Sequence, residues 1–148
     1  MLSGYFVMNN YELIYPMFAM VILTCVVLGV MFRTRVKSVV SGDVSISYYK
    51  TYRGGEEPDN AIKLSRHFTN IFEAPTLFYI VCVVAMITLQ SAPLFQLLAW
   101  VYVLLRVVHA YIHIGRNKVL HRMRVYFSGW VVLMLMWMYV LTGVVLAS

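Results

Sequence analysis

Arg66, Asn70 and Glu73 follow one another at intervals of four and three residues. On a helix turning about 100° per residue they share an arc of about 60°. Tyr102, Arg106, His109 and His113 share an arc of the same width further along. Arg122 and Tyr126, one turn apart, add another cation and another hydroxyl. Guanidinium groups grip carboxylates bidentately and a carboxylate receives an ammonium, so this set suits a small polyanion that also carries an amino group. His109 and His113 have the i, i+4 spacing that can hold a metal, with His67 as a candidate third ligand. Two histidines on one helix cannot be both axial ligands of one haem, and no Cys or carboxylate pattern completes a zinc site. Histidines hydrogen-bonded within a polar cluster are the expectation, with no metal.

The elements that must position these groups are transmembrane. The chain of 148 residues is 61% hydrophobic and 12% charged, against about 45–50% apolar in soluble domains. Four runs are long enough to cross a hydrocarbon core of about 30 Å: Tyr11–Phe32, Leu64–Gln90, Pro93–Ile114 and Val125–Ala147. They predict an all-α, four-helix membrane bundle in one domain, 1–148, with helices at about 11–32, 60–90, 93–115 and 123–147. Gly54-Gly55-Glu56-Glu57-Pro58-Asp59 reads as a turn with acidic groups suited to the start of the second helix. The Gln90–Pro93 link is short enough to make the second and third helices antiparallel neighbours.

Arg33, Arg35, Lys37, Lys50, Arg53 and Lys63 fall in the first connection, and Arg116, Lys118, Arg122 and Arg124 in the third. The positive-inside rule puts both connections in the cytoplasm and both termini outside. Membrane topology and anionic headgroups account for the formal charge of +6, so nucleic acid is not an expected partner and membrane lipid is. Cys25 and Cys82 lie in apolar runs and read as packing residues. Glu73 falls about 14 Å inside a membrane edge at Leu64, where a lone carboxylate is costly. Antiparallel counting offers it His109 or Arg106 as a partner.

Arg66-x-x-x-Asn70-x-x-Glu73-x-Pro75 resembles the signature of the MAPEG superfamily of membrane-associated glutathione and eicosanoid proteins. Arg106-Val-Val-His109-Ala-Tyr-Ile-His113-Ile-Gly115-Arg116, with Arg122 and Tyr126, looks like the helix 3 to helix 4 segment of that superfamily's microsomal prostaglandin-E synthase branch. Arg33-x-Arg35 is similar to a further basic motif. The resemblance implies a homotrimer of four-helix bundles with glutathione, as co-substrate, held between subunits near the cytoplasmic face. It implies that Glu73 takes the amino group of glutathione and the arginines its carboxylates, with Arg33, Arg66, Asn70, Arg106, His109, His113 and Tyr126 in the binding set. Arg122 matches the arginine that stabilises the thiolate. His113 stands where the family often places a tyrosine, and Met123 where the prostaglandin synthase has a serine, so prostaglandin synthesis is not the expected activity.

The expected function is a glutathione-dependent membrane transferase or peroxidase acting on a lipophilic electrophile or hydroperoxide. The alternative is a non-catalytic glutathione- or lipid-binding protein of the same fold. A proton-coupled transporter is disfavoured, because the polar residues occupy the cytoplasmic half and no charged relay continues outward from Ala74–Gln90 or beyond Tyr126. Bacterial inner membrane and endoplasmic reticulum both fit the charge pattern.

Overall fold

A computed structural model describes residues 10–53, 57–115 and 118–147. Gly54, Gly55, Glu56 and Arg116 lie outside them. A short 3-10 turn, Asn10–Leu13, leads into α1 (Ile14–Val40); α2 (Tyr48–Thr51), α3 (Asp59–Ile87), α4 (Pro93–Ile114) and α5 (Val119–Ala147) follow. Four of these helices are long and apolar enough to cross a membrane, and there is no strand among the described residues. α4 packs most extensively on α5, and α1 on α3.

α1 does not end at Phe32, where the basic residues begin, but continues to Val40. Ser38 remains buried along this extension, and the Thr34 and Ser38 hydroxyls donate to the Val30 and Thr34 carbonyls. Arg35 on the same stretch reaches across to α3, donating from Nη2 to Ser65 Oγ at 2.8 Å. Its Nε lies 3.3 Å from Glu57 Oε1, and its guanidinium sits 5.2 Å and 5.9 Å from the Tyr49 and Tyr52 ring centres. The connection between α1 and α3 is thereby tied down against the start of α3.

α3 starts after Pro58, whose carbonyl accepts from Ala61 and Ile62, and carries Asp59 in its first turn, where a carboxylate complements the helix dipole. Pro75 lies within it and leaves the Ile71 carbonyl without its helical donor, yet the helix runs on to Ile87. It closes with Leu89 at φ 57 and Gln90 N–H donating to the Ala85 carbonyl, the arrangement of a left-handed helix stop. Pro93 then opens α4 from its first turn.

Between helices that share one lipid solvent, close van der Waals packing replaces the aqueous hydrophobic drive. Ala74, Ala85 and Ala99 are fully buried and let the backbones approach, while Phe78, Phe95, Tyr102, Leu133 and Met136 fill the space between them. Phe78 and Tyr102 stack at 4.6 Å with 12° between their planes.

Candidate functional site

The α4 stripe faces inward. Tyr102, Arg106, His109 and His113 are all buried, and His67 of α3 meets them, its ring centre 5.5 Å from that of His109 and 4.7 Å from that of His113. Arg106 lies 4.9 Å from the Tyr102 ring centre and 5.3 Å from that of Tyr126. Gly129 of α5 lies against this guanidinium, where a Cβ would stand 3.4 Å from Arg106 Nη2, in ordinary contact. Tyr126 also packs against His109 at 5.6 Å. Both nitrogens of His67 and of His109, Nε and Nη2 of Arg106 and the Tyr102 hydroxyl have no hydrogen-bond partner among the described residues. The α4 face is therefore an interior polar chamber, without any group of three His, Cys, Asp or Glu among the described residues that could hold a metal.

The α3 stripe faces the other way. His67, Ile71, Ala74 and Phe78 are buried, whereas Arg66 and Glu73 are exposed and Asn70 is half-buried. The two stripes consequently do not face each other, and Glu73 pairs with neither Arg106 nor His109; among the described residues it makes no ion pair. The reason is rotational. Small and apolar side chains at Ala61, Leu64, Ile71, Ala74 and Phe78 define the side of α3 that packs on its neighbours, and this turns the polar arc outward.

Part of that arc opens onto a cavity of about 530 Å³ lined by Asp59, Ile62, Lys63, Arg66, Thr69, Asn70, His113 and Arg122. Arg66, Asn70, His113 and Arg122, taken from three helices, are thus brought together. Arg122 Nη1 lies 3.5 Å from His113 Nε2, so the buried imidazole links the cavity wall to the interior chamber. Arg106, His109 and Tyr126 belong to that chamber rather than to the cavity lining. Arg33 is on the exposed side of α1, beside an apolar concavity of about 500 Å³ with Phe32, Val36, Lys37, Val40 and Ser41. Glu73 continues the exposed face three residues beyond Asn70.

Three cations and one carboxylate line the cavity, which gives it an excess of positive charge suited to carboxylates and to a thiolate. The sequence reading did not single out Asp59 or Lys63 for this wall. Their signal was present: they precede Arg66 by seven and three residues and fall on the same helical face.

The family model described as the MAPEG family matches residues 13–142 of the chain. No curated protein and no solved structure matches it.

Proposed function

The chain belongs to the MAPEG family, and from that premise we propose that it is a glutathione-dependent transferase or peroxidase of the membrane. The observation that carries the reading is the convergence of Arg66, Asn70, His113 and Arg122 on one open cavity. Arg66 and Lys63 supply charge for the two ligand carboxylates and Asn70 an amide for its backbone. Arg122 faces the sulfur. A thiol of ordinary pKa about 8.5 is mostly protonated at neutral pH, and a guanidinium beside it favours the thiolate. The S–H proton leaves to solvent through the open cavity and the electron pair stays on sulfur; the thiolate then forms a C–S bond to an aryl halide dissolved in the adjoining lipid as halide departs, or takes the terminal oxygen of a hydroperoxide as the O–O bond breaks and the alcohol leaves, a second glutathione thiol converting the sulfenic acid to disulfide and water.

The exposed Arg66–Asn70–Glu73 face supports assembly of chains around α3. A carboxylate turned toward hydrocarbon is costly, and a neighbouring subunit that covers Glu73 removes that cost. Three copies, as the sequence resemblance implies, form the assembly we propose, with the cavity completed at the subunit boundary. Arg33, which does not line the cavity of its own chain, then serves a site on a neighbour.

Purified protein in lipid nanodiscs should conjugate glutathione to a generic aryl halide or reduce a lipophilic hydroperoxide, and should bind glutathione in calorimetry. Binding without turnover in either assay would establish the non-catalytic glutathione-binding alternative, and absence of glutathione binding would remove both glutathione readings and leave only the lipid-binding one.

A further inference from the structure

From Ala74 to Ser148 the chain carries no Asp or Glu, yet it carries Arg106, Arg116, Lys118, Arg122 and Arg124. The cations of the α4–α5 hairpin therefore have no carboxylate on their own two helices. Where α4 ends and α5 begins, a concavity of about 400 Å³ is lined by Tyr111, Ile112, Gly115, Lys118 and His121. It shares no lining residue with the cavity of Arg66 and Arg122. Its polar side chains are a phenol, an ammonium and an imidazole, and each can donate to an anionic oxygen.

An apolar surface leads into this concavity. Leu97, Trp100, Leu104, Val108 and Tyr111 follow one another on α4 at intervals of three and four residues, and all are exposed. They form one stripe on the helix, apart from the buried Tyr102, Arg106 and His109. From Trp100 to Tyr111 the stripe rises about 16 Å, close to one leaflet of a hydrocarbon core about 30 Å thick. Tyr111 closes it, and a ring that carries a hydroxyl suits the boundary between hydrocarbon and headgroups. We propose that the concavity and the stripe together bind one anionic phospholipid, with its phosphate on Lys118, His121 and Tyr111 and an acyl chain along Leu104 and Trp100. Charge decides the occupant. A neutral lipid covers the stripe but leaves the Lys118 ammonium without an anion, and a second copy of a hairpin that has no carboxylate brings cation against cation. The site does not rest on the glutathione reading, although His121 directly precedes Arg122 on α5, so a lipid held there steadies the turn that carries Arg122.

Native mass spectrometry of the purified full chain, equilibrated with an equimolar mixture of dioleoyl-phosphatidylglycerol and dioleoyl-phosphatidylcholine, reads retained lipid and oligomeric mass together. The unmodified protein should retain the anionic lipid over the neutral one by about five-fold, the factor that a single cation supplies at an anionic surface. Lys118→Gln combined with His121→Gln should bring the two lipids to equal retention. Lys118→Arg should keep the preference, as should Lys37→Gln, which removes a charge from α1 outside the concavity. No preference in the unmodified protein, a preference that survives in the double variant, or one lost equally in Lys37→Gln overturns the proposal. Displacement of the retained lipid by excess inorganic phosphate overturns it in favour of a free-phosphate site. A change of oligomeric mass in Tyr111→Ala, with lipid retention unaltered, overturns it in favour of a subunit contact.

Discussion

Replacing Arg122 with alanine should produce a rate defect that depends on pH in a specific direction. Arg122 is half-buried on the wall of an open cavity, so its attraction for a thiolate about 4 Å away falls between about 1 kcal/mol in water and about 4 kcal/mol in a partly shielded site. A value of about 2 kcal/mol lowers the bound thiol by about 1.5 pKa units, from about 8.5 to about 7. At pH 7 about half of the bound thiol is then ionised, compared with about 3% without Arg122, a difference of roughly fifteen-fold. The defect should widen to about thirty-fold at lower pH, where both forms are mainly thiol, and fade above about pH 9, where both are thiolate. Conjugation rates at saturating glutathione between pH 6 and pH 10 measure this, with direct thiolate absorbance as an independent readout. Arg122→Lys should recover part of the effect. A defect of constant size across the range, or none, would refute thiolate stabilisation as the role of Arg122.

Other expectations concern the scaffold. Glu57 is buried and Arg35 largely so, which places their pair between exposed pairs of about 0–1 kcal/mol and buried ones of about 3–5 kcal/mol; Glu57→Gln should cost about 2 kcal/mol and accelerate amide exchange across residues 44–53 without affecting α4 or α5. Burial first, and the neighbouring Glu57 carboxylate second, raise the Tyr49 hydroxyl above its ordinary 10.0. The resulting contribution to stability is whole below pH 10 and is lost as pH rises through the raised value, so tyrosinate titration should show Tyr49 ionising at lower pH in Glu57→Gln. Gly129→Ala should be tolerated, since its Cβ meets Arg106 at ordinary contact distance, while Gly129→Val should displace Arg106 and lower thermal stability by about 1–3 kcal/mol. Tyr102→Phe removes a buried hydroxyl that lacks a partner among the described residues, so thermal unfolding should show it neutral or stabilising by up to about 1 kcal/mol.

The four spans could be read from hydropathy because crossing a bilayer demands both length and apolarity, and both are visible along the chain. The end of α1 was hidden for a related reason. Arg33, Arg35 and Lys37 end the apolar run, but the helix continues past them, with Ser38 buried and Arg35 bonded to Ser65 of α3. The short α2 lay in a segment without hydrophobic period. Periodicity correctly grouped Arg66, Asn70 and Glu73, and separately Tyr102, Arg106, His109 and His113, but it fixed only which residues share a face and not the direction that face takes. In water a polar face points outward. In a bilayer both the packed side and the lipid side are apolar, so the orientation of α3 depended on where Ala61, Ala74 and Phe78 found partners. The same ambiguity concealed the contact of His67 with His109 and His113, and the place of Asp59 and Lys63 beside Arg66.

In the trimer proposed above, the outward-facing stripe of α3 would tie the behaviour of this protein to its abundance. If copies must meet to cover Glu73, then occupancy of the bilayer, and not only synthesis and insertion of each chain, governs how many working sites exist. A single copy isolated in a small nanodisc should be the least stable form. A chain whose α3 face is damaged should drop out of the assembly rather than join it, so its loss of function would be recessive to an intact copy.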